Sequence, residues 1–242
     1  MPALEVSDVS VNFGGTRALD DVSIVVEPGR VTGLIGPNGA GKTTLFNVVT
    51  GLLSPGRGRV VLHGQDVTQL APGRRARLGL ARTFQRLELF TSLSVRDNIR
   101  VAGDIRNSWG RRHRIDISKE TERIVALTGL GDVAHRDVSD IPTGRARVVE
   151  VARALMTQPS VLLLDEPAAG QTERETEEFG HLLGRLADDG LAICLVEHDM
   201  ALVMRVSSDI HVLDYGKVLA VGNPEEVQND PAVIAAYLGG AA

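Results

Sequence analysis

Residues 31–44, VTGLIGPNGAGKTT, constrain this chain more than any other stretch. A five-residue apolar run, VTGLI, predicts a buried strand, and KTTLFNVV at 42–49 opens a helix directly after the glycines. The intervening Gly36-Pro37-Asn38-Gly39-Ala40-Gly41-Lys42-Thr43 has the spacing of a phosphate cradle. Its glycines let successive backbone N–H groups curl around phosphate oxygens. Lys42 supplies a point charge to the β- and γ-phosphates, and the Thr43 hydroxyl can ligate Mg²⁺. A plain glycine-rich turn would not explain the lysine.

A second run, VLLLDE, ends in Asp165 and Glu166. A carboxylate at the C-terminal end of a buried strand beside a phosphate loop can hold a nucleotide-bound Mg²⁺, directly or through water. Glu166, the next residue, points to the other side of the pleat and can polarise an attacking water. Considered alone, the pair would be two solvated acids at a strand end. His198 follows the apolar run LAICLVE and could reach a γ-phosphate, although a lone histidine is commonly a surface residue. Gln85 in ARTFQ could contact metal or water. Phe13 in VNFGG could stack on adenine or simply fill the core.

DIPTGRARVVEVARAL, residues 140–155, raises the question of a second phosphate. Its apolar positions recur at helical spacing, so a helix is expected to open at Gly144. Arg145 and Arg147 occupy a first turn where acids are usual, which suits an end built to meet an anion through free N–H groups.

Three textures organise the rest. Residues 3–28 and 58–67 alternate between apolar and polar and are broken by glycines, which predicts an antiparallel sheet. RVTGLIG, SVLLLDE, LAICLVEH and DIHVLDYG are compact apolar runs separated by helical stretches, the pattern of a largely parallel sheet. Residues 86–150 are more polar and helical and suggest an inserted subdomain. Thr172 with Glu175 forms a capping box for a helix that Gly190 stops.

At 242 residues and 43% hydrophobic content the chain can build a real core. The net charge of −5 gives no general pull towards nucleic acid, and 3% aromatic content leaves no extended base-stacking surface, so no nucleic-acid partner is expected. Cys194 lies in an apolar run and reads as a buried structural thiol. No apolar stretch approaches the ~18 residues that span a bilayer, and no signal-peptide pattern opens the sequence, so the chain is expected to be cytosolic and soluble. RRHR at 111–114 reads as a solvated loop.

Phe13, GPNGAGKTT, Gln85, the ARAL helix, LLLDEP and His198 stand in the order found in ATP-binding subunits of ABC transporters, and the chain resembles that family over essentially its whole length. NFGGTRAL, GLARTFQ, DEPAAG, EHDM and NDPAVIAAYLG look most like the ATPase subunits of branched-chain amino acid importers. The resemblance implies a single α/β domain over 1–242: a P-loop NTPase core with a mixed, largely parallel sheet, an antiparallel N-terminal β-subdomain, and an inserted helical subdomain at 86–150. It implies ATP and Mg²⁺ as cofactors. Phe13 and the loop Gly36, Pro37, Asn38, Gly39, Ala40, Gly41, Lys42, Thr43 and Thr44 would bind the nucleotide, and Thr43, Gln85 and Asp165 the metal. Glu166, His198, Gln85 and Lys42 would carry catalysis.

In the family two such domains pair head to tail, so Thr143, Gly144 and Arg145 would meet the partner's γ-phosphate. Implied partners are a second ABC ATPase subunit, a transmembrane permease and, indirectly, a solute-binding protein, with the chain peripheral on the cytoplasmic side of the membrane. Rival readings are the ATPase of a lipid or lipopolysaccharide exporter, a non-transport ABC protein acting on ribosomes or DNA, and a partner that binds ATP without turning it over.

Two places depart from the family pattern. Ile141-Pro142-Thr143-Gly144-Arg145 replaces Leu-Ser-Gly-Gly-Gln, and Gln171-Thr172-Glu173 follows DEPAAG where an apolar residue, a small polar residue and proline are usual. These changes favour a heterodimer with one weakened site. Arg145 could compensate by pairing with phosphate, or be a spectator that points to solvent or to an acid on its own helix such as Glu150. Of Leu87, Leu89, Phe90 and Leu93, some are expected to form an exposed apolar patch for the permease.

Overall fold

Strands whose two faces are both covered read as near-continuous apolar runs, and three segments of this chain are of that kind: β3 (Val31–Ile35), β7 (Val161–Asp165) and β8 (Ala192–Val196) are buried throughout, with Thr32 and the terminal Asp165 as their polar members. The structure, a computed structural model, describes residues 1–239. The strands that precede β3 are β1 (Leu4–Phe13) and β2 (Thr16–Val26). Helix α1 (Lys42–Thr50), strands β4 (Arg57–Leu62) and β5 (Gln65–Asp66), helix α2 (Pro72–Arg77) and strand β6 (Leu80–Arg82) follow. Helices α3 (Val95–Ser108), α4 (Ile117–Leu127) and α5 (Thr143–Met156) precede β7. After it come α6 (Glu173–Asp188), β8, α7 (Met200–Val206), β9 (Asp209–Asp214), β10 (Lys217–Gly222), α8 (Pro224–Gln228) and α9 (Pro231–Gly239).

The central sheet has the order β10-β9-β3-β8-β7-β6, parallel except for the edge strand β10. A separate antiparallel sheet runs β2-β1-β4-β5. Both sheets and their pairing sense agree with the expected textures. Two strands were not expected: β6, only three residues long, and β10, an edge strand whose VLAV run is exposed at alternate positions.

Period-two side chains divide the core. Val161 and Leu163 of β7, with Ala192, Cys194 and Val196 of β8, face α1 and the antiparallel sheet. Leu162, Leu164, Ile193 and Leu195 face α5, α6 and the other helices. Register pairs Asp165 with Val196 and Leu34 with His211, so the C-terminal ends of β7, β8, β3 and β9 open on one edge. Crossover connections place the phosphate loop, Asp165 and His198 along that edge.

Helix α6 begins as its capping box requires: Thr172 accepts from the Glu175 N–H, and Glu175 accepts from the Thr172 N–H. Between β6 and β7, α3 packs on both α4 and α5. Arg111, Arg112 and Arg114 are exposed, and Cys194 is fully buried with its thiol pushed up to about 12, chiefly by that burial.

Candidate active site

The loop from Gly36 to Gly41 needs glycine for two different reasons. A Cβ on Gly36 would lie 2.0 Å from the Leu213 carbonyl oxygen of β9, and Gly41 has φ of 108° with the Ala18 carbonyl oxygen 2.8 Å from such a Cβ. Gly41 caps α1 without a side-chain bond, so the first N–H groups of α1 face the loop unclaimed by any cap. Lys42 Nζ donates to the carbonyls of Gly36 at 2.6 Å and Pro37 at 3.0 Å, curling the loop around a buried ammonium. Burial lowers its pKa, opposed by the charges of Glu166 and Asp165. An ammonium held this way, beside open helix donors, is completed by a polyphosphate.

Asp165 ends β7 as a buried carboxylate, and its Oδ2 accepts from Arg82 Nη2 at 2.9 Å. Arg82 also donates to Asn47 Oδ1 at 2.7 Å, and its guanidinium lies 5.3 Å from the ring centre of Phe46 and 4.9 Å from that of Phe84. No group of three or more His, Cys, Asp or Glu side chains among the described residues could hold a metal ion. Mg²⁺ takes one or two protein oxygens and fills the rest of its octahedron with water and substrate phosphate, so Asp165 and the Thr43 hydroxyl are a donor set that fits it.

Three strand ends converge on Glu166. Its residue has φ of 50°, and its N–H donates to the Val196 carbonyl at 2.8 Å, which fixes the turn out of β7. Gln85 Nε2, three residues past β6, donates to Oε2 at 3.1 Å, and His198 Nε2, two residues past β8, meets Oε1 at 2.9 Å. With its amide nitrogen so engaged, Gln85 has its side-chain oxygen left for metal or water. Phe13 is 54% exposed where β1 turns into β2, so it is an open aromatic platform rather than a core residue.

The second anion end is built differently from the expectation. Helix α5 starts at Thr143 with Pro142 as its cap residue, and the first backbone bond is Ala146 N–H to the Pro142 carbonyl, so the N–H groups of 143, 144 and 145 precede the ladder. Neither arginine faces outward to supplement them. Arg145 donates to the Gly129 carbonyl at 3.0 Å and pairs with Asp132, not with Glu150 as one alternative had it. Glu150 lies on the inner face of α5, where it accepts from the Glu88 N–H at 2.8 Å and from Arg147 at 3.2 Å. Arg147 itself turns inward to the carbonyls of Phe84 and Gln85.

Nothing in the sequence pointed to Arg82 or the buried Glu197, and Arg147, expected at the anion-facing end, serves the Gln85 segment instead. Each sits beside a residue with a stronger signal, and burial of a charge is invisible until its partners are placed. Of the four apolar residues after Gln85, Leu87 and Leu89 pack on the core, Leu93 is half-buried, and Phe90 is 45% exposed with Arg153 over its ring.

A parallel sheet with a phosphate loop after one strand, a carboxylate pair ending another and a histidine after a third defines a nucleoside-triphosphate hydrolase class. Residues 19–169 match the ABC transporter family, and residues 217–242 match the branched-chain amino acid ATP-binding cassette transporter family. The chain belongs to the ABC transporter ATP-binding family, and it is an ATPase. It is 39% identical over 98% of both chains to the high-affinity branched-chain amino acid transport ATP-binding protein LivG of Escherichia coli K12. To BraF of Pseudomonas aeruginosa, a protein of the same description, it is 38% identical over 98% of both. It is 32% identical to the lipopolysaccharide export system ATP-binding protein LptB of Escherichia coli K12, over 99% of this chain and 98% of LptB. Among solved structures, the ADP conformation of MJ1267, an ATP-binding cassette of an ABC transporter, matches with a TM-score of 0.87 at 30% identity, covering 99% of each chain.

Proposed function

We propose that this chain hydrolyses MgATP to drive a membrane permease that imports branched-chain amino acids or a related small solute. Its single nucleotide-binding domain, 1–242, would carry a helical subdomain at 86–150. The observation that carries the reading is the convergence of Gln85 and His198 on Glu166, one residue from Asp165 and beside the Lys42 loop. Identity is higher to LivG and BraF than to LptB, and the C-terminal residues match the branched-chain family, which favours import over export.

In this reading Phe13 stacks on adenine, while the amides of Gly36–Gly41 and the side chains of Lys42, Thr43 and Thr44 grip the phosphates. Bound Mg²⁺ would offset phosphate charge, held by Thr43 and Asp165 with Gln85 close by. Glu166 accepts the proton of the attacking water, and His198 steadies both that carboxylate and the γ-phosphate. A second ABC ATPase subunit presents its own helix N-terminus to this nucleotide, and Thr143, Gly144 and Arg145 of this chain face the other. No described helix is long and apolar enough to cross a membrane, so attachment on the cytoplasmic side runs through the permease, with a solute-binding protein beyond it.

Glu166→Gln keeps the size and hydrogen bonding of the side chain but removes the base. ATP binding should survive, and hydrolysis should fall by roughly 10²–10⁴-fold, measured as phosphate release. Unchanged turnover would mean that Glu166 is a strand-end acid and no more.

A further inference from the structure

Glu197, between β8 and His198, is only 6% exposed, and no ion pair reaches it among the described residues. Its two oxygens serve two different loops. Oε1 accepts from the Ala168 N–H at 2.7 Å, and Oε2 accepts from the N–H groups of His198 at 2.9 Å and Asp199 at 3.5 Å. The first loop is the one that leaves Glu166; the second carries His198. Burial pushes the Glu197 pKa up and the nearby Glu166 charge adds to that, while the three N–H groups pull it down. A strand end could be closed more cheaply by serine or threonine, which bring no charge to desolvate. What they cannot do is bridge two loops with two separate acceptors.

The Ala168 loop reaches further. Around Gly144 of α5, an added Cβ would lie 3.0 Å from Gln171 Cγ and 3.2 Å from the Gly170 carbonyl oxygen, so this loop lies directly on the α5 N-terminus. One buried carboxylate therefore joins the Glu166 turn, the His198 turn and, through residues 168–171, the helix end that faces a second nucleotide.

We propose that Glu197 is a positioning residue: it sets the 2.9 Å approach of His198 to Glu166 and ties that pair to the N-terminus of α5. This rests on the hydrolytic reading of Glu166 and His198 given above. Both Glu197 oxygens are taken by backbone N–H groups, so it acts through its neighbours. Glu197→Gln keeps the shape but turns one acceptor into a donor that faces a backbone N–H, so one of the two loops is released.

The test is a double-mutant cycle on the full chain, measuring kcat and KM for ATP, affinity for a non-hydrolysed ATP analogue, and thermal unfolding. Glu197→Gln should lower kcat roughly 10- to 100-fold, as expected when a reacting group is misplaced, while analogue affinity and KM hold. In a His198→Ala background the same substitution should add no further loss, because both act through one contact. An equal loss in both backgrounds, an unchanged kcat, or a parallel loss of analogue binding overturns the proposal and leaves the reading of Glu166 intact. Wild-type turnover in His198→Ala alone would overturn the reading of His198 and the coupling with it. If Glu197→Gln does not fold, Glu197→Asp enters the same cycle with the same expectations, since it keeps the charge but withdraws both oxygens by one methylene.

Discussion

Arg75 is a fully buried arginine whose hydrogen bonds all go to carbonyls. Its Nη1 donates to Val48 and Val49 at 2.7 Å, Nη2 to Thr68 at 2.8 Å and Nε to Leu70 at 2.9 Å, so it closes the C-terminal end of α1, the helix that opens at Lys42. Burial lowers its pKa, opposed by the Asp66 charge. Arg75→Met should leave the Val49, Thr68 and Leu70 carbonyls without this donor, while Val48 keeps the Gly51 N–H, and cost roughly 3 kcal/mol or more in urea unfolding. A loss below about 1 kcal/mol would mean that water replaces the guanidinium. Nothing in PGRRARLG told this arginine from Arg74 or Arg77, because the acceptors lie up to 27 residues away. Lys42, Asp165, Glu166 and His198 were legible for the opposite reason: each follows or ends an apolar run, and strand ends in a parallel sheet share one edge. Arg145 was only half legible. Its place in the first turn of α5 could be read, but its partner Asp132 lies on a loop whose position no local pattern fixes.

Helix α5 is the element on which the site and the outer surface both depend. Arg147, Glu150 and Arg153, three residues apart, line one face of it and grip the segment 84–90. Arg147 holds the carbonyls of Phe84 and Gln85, Glu150 holds the Glu88 N–H, and Arg153 holds the Glu88 carbonyl and covers Phe90. The segment that carries Gln85 is thus fastened to the helix whose N-terminus is the proposed second anion site. Helix α5 itself was legible from its apolar spacing. Its grip was not, because a three-residue repeat of charges reads equally well as a solvated face. Phe84 and Phe90 are exposed apolar residues on this segment, and Phe90, at its outer end, is held by Arg153 but open to a partner. Phe90→Asp should leave ATP hydrolysis by the isolated subunit nearly unchanged while abolishing the stimulation it receives from a reconstituted permease. An equal loss of both activities would place Phe90 in the packing of the helical segment instead.

The proposed function gives the whole molecule one regular anion site and one irregular one. The phosphate loop has its glycines, its lysine and an open helix end. The α5 end has Pro142, which carries no N–H, Thr143 as its near hydroxyl, and an arginine already committed to Asp132. That asymmetry supports a heterodimer in which this chain hydrolyses well at its own loop and receives its partner's nucleotide weakly. The pair between Arg145 and the exposed Asp132 contributes little to stability, so it can be removed without disturbing the fold. Arg145→Gln alone should therefore leave turnover by the reconstituted pair unchanged. Pro142→Ser with Thr143→Gly and Arg145→Gln restores a hydroxyl and a donor at the helix start, and Ser at the cap position adds about 1 kcal/mol to α5. Turnover should then rise, read as phosphate release per pair at saturating ATP. A fall with Arg145→Gln alone would show that the guanidinium leaves Asp132 in the assembled pair and takes over the phosphate contact.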